Sequence, residues 1–171
     1  GIALHNGKII QLTWKEGRAL RWSPDLVPLT ESTYEGDGWG LTSDGTHLIM
    51  SNGTHKVTFR DPETFEEVRA ILVTRAGRPV NQLNELEYFG GSIYANRLNS
   101  DLIYEINPQS GVVTSVIDLN GLWPASERPR DGSGIMNGIA VGKKPNGEQM
   151  ILVTGKYCPH IYEIEVVPPG S

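Results

Sequence analysis

Short runs in which apolar and polar residues alternate recur along the chain, separated by clusters of Gly, Pro, Asn and Asp. That spacing predicts β-strands joined by tight turns rather than helices. Three such strands, Ala19–Trp22, Lys56–Phe59 and Leu102–Ile106, each run into the same kind of corner: Ser23-Pro24-Asp25, Asp61-Pro62-Glu63-Thr64 and Asn107-Pro108-Gln109-Ser110-Gly111. Proline presets φ at the second position of a type I turn, and the Ser, Asp or Asn before it caps the backbone. The Asp61 corner also carries a local helix-start signal, since Asp-Pro is followed by Glu and Thr. The equivalent Asn107 segment runs instead into the β-branched stretch Val112-Val113-Thr114-Ser115-Val116, so the repeat predicts a turn at both.

The prolines of the corners are 38 and then 46 residues apart. Upstream of each lies a second strand (Ile9–Trp14, His47–Ser51, Ser92–Asn96), and ahead of that a first strand (Gly1–Leu4, Gly38–Thr42, Asn84–Tyr88). Val68–Val73 and Val112–Leu119 would close their units as fourth strands, and a further copy lacking the Pro corner reads Asn137–Val141, Ile151–Thr154 and His160–Val166. Four-stranded units repeating every 40–50 residues or so predict a β-propeller. The units fall at about 1–32, 38–74, 83–120 and 136–167 of a single domain. The ring is expected to be incomplete, with the partner of His160–Val166 lying before Gly1, and the Pro/Gly-rich connections 75–83 and 122–134 are expected to cross one end of the channel.

Composition narrows the function. The net charge is -5 and no basic stripe occurs, which argues against a nucleic-acid partner. No apolar run approaches the roughly 20 residues of a membrane helix. One cysteine, Cys158, excludes an intrachain disulfide framework and a cysteine-rich zinc site. The chain opens on Gly1 rather than Met, as expected of a processed or truncated product, so the lack of a leader carries no information about compartment.

Three residue sets could carry chemistry. Trp14 and Trp39 lie near inner strands; tryptophan is more often core, but a pair could line an aromatic pocket. Asn84, Asn96 and Asn137 recur at similar places in their units; the alternatives are turn and edge capping or a ring of amides facing the channel. Lys156, in Val153-Thr154-Gly155-Lys156, follows an apolar strand; it is either a surface lysine or an ammonium offered to a developing oxyanion. His5, His47, His55 and His160 show no metal-ligand spacing, and Gly36-Asp37-Gly38-Trp39-Gly40 lacks the strand–helix setting of a phosphate loop.

Gln11-Leu12-Thr13-Trp14, Gly38-Trp39-Gly40-Leu41-Thr42, Leu83-Asn84-Glu85-Leu86-Glu87, Asn137-Gly138-Ile139-Ala140 and Val153-Thr154-Gly155-Lys156, in this order over nearly the whole chain, resemble the plant-type glutaminyl-peptide cyclotransferases. The resemblance implies an all-β, five-bladed β-propeller of which this chain covers about four blades. It implies cyclisation of an N-terminal glutaminyl residue to pyroglutamate with release of ammonia, on peptides or proteins, without catalytic zinc or another cofactor, a structural cation such as calcium being left open. It also implies a secreted, periplasmic or secretory-pathway location.

Carried over position by position, the resemblance assigns Lys156 and Asn84 to holding and polarising the amide, and Trp14 and Trp39, with Asn96, Leu98 and Asn137, to the substrate pocket. Four positions depart from the family pattern. Gly1 matches the last glycine of a Phe-Gly-Glu-Gly motif whose glutamate is the acid–base residue, so that residue would precede this chain, on a separate N-terminal segment or an absent one. Leu98 stands where a third pocket tryptophan is usual, Cys158 where another tryptophan follows the lysine, and Asp37 where a glutamate precedes Gly-Trp. The competing expectation is a propeller binding module that has lost catalysis. A six-bladed lactonase-like propeller is disfavoured, because no carboxylates recur at matching blade positions to ring a metal.

Overall fold

The computed structural model describes residues 1–167. It is built of successive antiparallel sheets, each a meander in chain order. Blade 1 consists of β1 (Ile2–His5), β2 (Lys8–Leu12), β3 (Arg18–Trp22) and β4 (Pro28–Thr33). Blade 2 consists of β5 (Leu41–Ser43), β6 (Leu48–Ser51), β7 (Lys56–Arg60) and β8 (Glu67–Leu72). A two-stranded hairpin, β9 (Thr74–Arg75) and β10 (Arg78–Pro79), leads to blade 3: β11 (Leu83–Phe89), β12 (Ser92–Arg97), β13 (Leu102–Ile106) and β14 (Val113–Asp118). Blade 4 has three strands among the described residues, β15 (Met136–Lys143), β16 (Gln149–Gly155) and β17 (Tyr162–Ile164). The first strands pack side by side, β1 on β5, β5 on β11 and β11 on β15. This is a four-blade β-propeller arrangement.

The core lies between blades rather than within them. Ile10, Leu12 and Ala19 of blade 1 meet Leu41, Leu48 and Met50 of blade 2. Ile49, Val57 and Phe59 on the other face of blade 2 meet Leu86, Ile93 and Ala95 of blade 3. Ile103 of blade 3 packs with Ile139 and Val153 of blade 4. Blade 2 is therefore covered on both faces, which is why β6 runs Leu48-Ile49-Met50 without polar alternation and is buried at every position, Ser51 included. Among the described residues blade 1 has a neighbour on one face alone, and Ile2 and Leu4 on the other are 61% and 68% exposed.

The Pro corners are turns, and the helix signal at Asp61 is overridden. Asp61 Oδ1 accepts the backbone N–H groups of Glu63 and Thr64, and Asn107 Oδ1 those of Gln109 and Ser110. Each turn then closes through a left-handed residue, Phe65 or Gly111, that lets the next strand reverse. Arginines lock successive blades together on these corners. Arg21 is fully buried and donates to the Pro62 and Glu63 carbonyls at 2.8–3.0 Å. Arg69 donates to the Pro108 carbonyl at 3.0 Å while lying over the Phe59 ring. Several expected strands are shorter than the alternation implied; the one expected at His160–Val166 spans Tyr162–Ile164, and the one expected at Val112–Leu119 spans Val113–Asp118. The second strand of blade 1 stops at Leu12, where Thr13 turns to bond Arg18. The first strand of blade 2 starts at Leu41, because residues 38–40 run irregularly along Ser51. Among the described residues no helix is long and apolar enough to cross a membrane.

Candidate functional site

Register places three residues at one level of the inner strands. Leu41, Leu86 and Ile139 pair with Met50, Ala95 and Val153 respectively, and the residues two positions earlier are Trp39, Asn84 and Asn137. Asn84 and Asn137 each sit in a β-bulge, which breaks the regular alternation and re-aims the side chain. Between these two levels lie Gly40, Glu85 and Gly138. The glycines are required by contact. A Cβ on Gly40 would strike the Asn84 carbonyl and come within 2.9 Å of the Leu86 nitrogen, and one on Gly138 would lie 2.8 Å from the Thr154 methyl.

A cavity of about 280 Å³ opens beside this level, lined by Trp14, Gly38, Trp39, Asn84 and Leu98. Four of the seven site residues expected from sequence thus meet in one place, brought from four separate stretches of chain. Trp14 follows β2, and its loop is tied to residues 36–38 by the Gly38 N–H on the Trp14 carbonyl (2.8 Å). Trp39 rests over Gly53, whose missing side chain leaves room for the indole. Asn84 is held by its backbone carbonyl, which accepts from Ser51 Oγ at 2.6 Å. Leu98 is placed by the connection after blade 2, since the Gln82 N–H bonds the Gly53 carbonyl and the Leu98 N–H bonds that of Gln82.

The other three expected residues do not line this cavity. Asn96 is fully buried on β12, and neither its side-chain nitrogen nor its oxygen has a hydrogen-bond partner. Asn137 likewise has an unpartnered, buried Oδ1. Lys156 follows β16 and is exposed, its backbone N–H bonded to the Ile135 carbonyl and its Nζ 5.4 Å from the Tyr157 ring centroid.

Two acidic positions were not singled out as site residues by sequence. Glu85, next to Asn84, points into the interior, where Ile139 N–H meets its carboxyl while its Oε2 has no partner. Burial, with the nearby Glu87 carboxylate adding to it, pushes Glu85 up to about 8. Glu87 is raised as well, chiefly by burial, although it accepts from Thr42 Oγ1 (3.0 Å) and the Val141 N–H (3.3 Å). Asp37 is the other. Its Oδ2 accepts from the indole N–H of Trp14 at 3.1 Å and that of Trp39 at 3.4 Å. Its signal in the sequence was a carboxylate two residues before a tryptophan in a glycine-rich loop. Among the described residues no three His, Cys, Asp or Glu side chains are grouped so as to hold a metal ion.

The arrangement is a small, mostly apolar slot with one carboxamide in its wall, suited to a short side chain folded back on itself. Residues 1–166 match the family model described as glutamine cyclotransferase. A protein of Arabidopsis thaliana named glutaminyl-peptide cyclotransferase is 33% identical over 174 residues, covering 97% of this chain, and the chain spans about half (52%) of that protein's length. The crystal structure of Myxococcus xanthus glutaminyl cyclase superposes with a TM-score of 0.88 at 36% identity, over 96% of this chain and 71% of that one. The WD40 β-propeller domain of Doa1, 14% identical with a TM-score of 0.53 over 92% of this chain and 46% of that one, shares the fold alone. With the family model covering all but the last few residues, the chain belongs to the glutamine cyclotransferase family.

Proposed function

We propose that the protein is a glutaminyl-peptide cyclotransferase, acting on peptides or proteins that begin with glutamine. The observation that carries the reading is the cavity itself: two indoles and Leu98 around the Asn84 amide, in about 280 Å³. Such a slot holds a glutaminyl side chain curled towards its own α-amine, which is the geometry an intramolecular attack needs. In the reaction the α-nitrogen bonds to the side-chain Cδ, the bond from Cδ to the amide nitrogen breaks, and a proton moves from the attacking to the leaving nitrogen, which departs as ammonia. Asn84 is assigned to hold the amide, with Trp14, Trp39 and Leu98 as pocket walls; Lys156, Asn96 and Asn137 lie outside the cavity lining, and the reading assigns Lys156 to reach in and polarise the carbonyl and the two asparagines to substrate binding.

The same reading takes the four sheets as part of a five-bladed propeller in which a further segment covers the exposed face carrying Ile2 and Leu4. The proton-transferring carboxylate is assigned to that segment. No cofactor enters the chemistry, a structural cation such as calcium being compatible with it, and the compartment is secreted, periplasmic or secretory-pathway. The test is mass spectrometry of a glutamine-initiated peptide incubated with the full protein. The expected product is the same peptide less one ammonia. Lys156→Ala should lower turnover about a hundredfold, the scale of losing one oxyanion donor. An unchanged peptide refutes the activity, and intact turnover in Lys156→Ala refutes the lysine's role alone.

A further inference from the structure

The two tryptophans that wall the cavity are fixed by a single carboxylate oxygen. Asp37 Oδ2 accepts from Trp14 Nε1 at 3.1 Å and from Trp39 Nε1 at 3.4 Å. The two rings come from different blades, Trp14 from the loop after β2 and Trp39 from the approach to β5. Trp14 is 59% exposed, so packing holds its two side-chain torsions only weakly. Lys15 Nζ lies 4.4 Å from its ring centroid. The bond to Asp37 uses the single polar group of the indole and so constrains where the ring points.

The backbone around Asp37 is built to hold it. The Gly38 N–H bonds the Trp14 carbonyl at 2.8 Å, and Trp39 N–H bonds the Ser51 carbonyl at 3.1 Å. The Tyr34 hydroxyl donates to the Thr13 carbonyl at 2.6 Å and lies against Gly38, where any Cβ would strike that hydroxyl and fall 2.6 Å from the Thr13 oxygen. The residue bearing the carboxylate is thus clamped on its C-terminal side to the loop that carries Trp14, while its side chain ties the two indoles. A carboxylate acceptor makes stronger bonds than a neutral one, and one acceptor shared by two donors couples their positions.

We propose that Asp37 is a positioning residue for substrate binding, setting the distance and tilt between the Trp14 and Trp39 rings and so the width of the slot that takes the glutaminyl side chain. The proposal rests on the cyclotransferase reading for the identity of the ligand, and on the shared hydrogen bonds for the positioning itself. Its action is on the ground-state pocket. Loss of the carboxylate should weaken binding of substrate and transition state alike, raising KM while leaving kcat nearly unchanged.

The experiment has two arms on the full protein. In the first, ¹⁵N-labelled indole N–H signals are recorded for the wild type, Asp37→Ala, Asp37→Asn and Asp37→Glu, with Trp14→Phe and Trp39→Phe to assign the peaks. Among the four tryptophans, Trp22 Nε1 bonds Gln11 Oε1 and Trp123 Nε1 is buried without a partner, so neither depends on Asp37. Asp37→Ala should move the Trp14 and Trp39 signals and leave those of Trp22 and Trp123 in place. Asp37→Asn, which has the same size and a weaker acceptor, should move them part of the way, and Asp37→Glu should retain the coupled shift. Unmoved Trp14 and Trp39 signals overturn the proposal, as does a shift of all four, which would report a general structural change.

The second arm measures cyclisation of a glutamine-initiated peptide. Asp37→Ala is expected to raise KM about five- to tenfold with kcat within about twofold of wild type, and Asp37→Glu to restore most of the loss. An equal fall in kcat at unchanged KM overturns the positioning role. If the wild type does not cyclise the peptide, the cyclotransferase reading fails, and the indole shifts still decide whether Asp37 holds the two rings.

Discussion

Replacing Glu85 by Gln should stabilise the protein at pH 8 and have no effect at pH 4.5. The carboxyl projects into the interior beside Ile139, and its Oε2 has no partner. Burial, reinforced by Glu87, pushes it from an ordinary 4.5 to about 8. Between those values the folded chain keeps a proton that the unfolded chain releases. Folding stability therefore falls as pH rises through this window, and below about pH 4.5 both states are protonated and the penalty vanishes. A separation of about 3.5 pH units at about 1.36 kcal/mol each sets a ceiling of about 5 kcal/mol. Glu85 is half-buried rather than sealed, so solvent reaches part of it and about 2 kcal/mol is the realistic size. The amide has the same shape and no charge to desolvate. Thermal unfolding of wild type and Glu85→Gln at pH 4.5, 6 and 8 should show coincident midpoints at the lowest pH, parting by about 4–8 °C at the highest. Glu87 remains in both proteins, so its own titration largely cancels. A gap that stays constant with pH would refute the buried-carboxyl argument.

Two other substitutions test the scaffold that holds the site. Gly40→Ala places a Cβ against the Asn84 carbonyl and Leu86 nitrogen, both backbone, so relief requires moving the inner strands apart; a loss of about 1–3 kcal/mol in urea unfolding is expected, with weakened peptide binding, and unchanged stability would contradict the contact. Arg21→Met keeps the apolar stem but leaves the Pro62 and Glu63 carbonyls without their donor, which should cost about 2–4 kcal/mol in the same assay, whereas a neutral result would show that water replaces the guanidinium.

The blade repeat was legible because its marks are local. A capping Ser, Asp or Asn followed by proline writes the corner into four or five consecutive residues, and the hydrogen bonds of Asp61 and Asn107 are satisfied within that stretch. The same locality explains the helix signal at Asp61, since an N-cap and an Asx turn use the same side-chain bonds for their first residues. They part at Phe65, whose left-handed backbone no helix interior accepts. Strand ends were less legible. Leu12 and Leu41 bound their strands because of what Arg18 and Ser51 do across the sheet, and alternation along one strand carries no information about its neighbour.

The site divides along the same line. Trp14, Trp39, Asn84 and Leu98 stand out in the sequence as residue types, and the fold places them around one cavity. What residue type does not encode is how an exposed indole is kept still, or why one inner-strand position carries Glu85 where its neighbours carry glycine. Both answers are relations between blades. Asp37 acts on a tryptophan 23 positions earlier in the chain, and Glu85 meets the Ile139 backbone of the next blade. Each blade supplies a surface to the next, so a residue's role at the channel is set by the residue at the same level one blade away. These relations span from 23 residues, between Trp14 and Asp37, to 54, between Glu85 and Ile139, and a window of one or two strands cannot contain them.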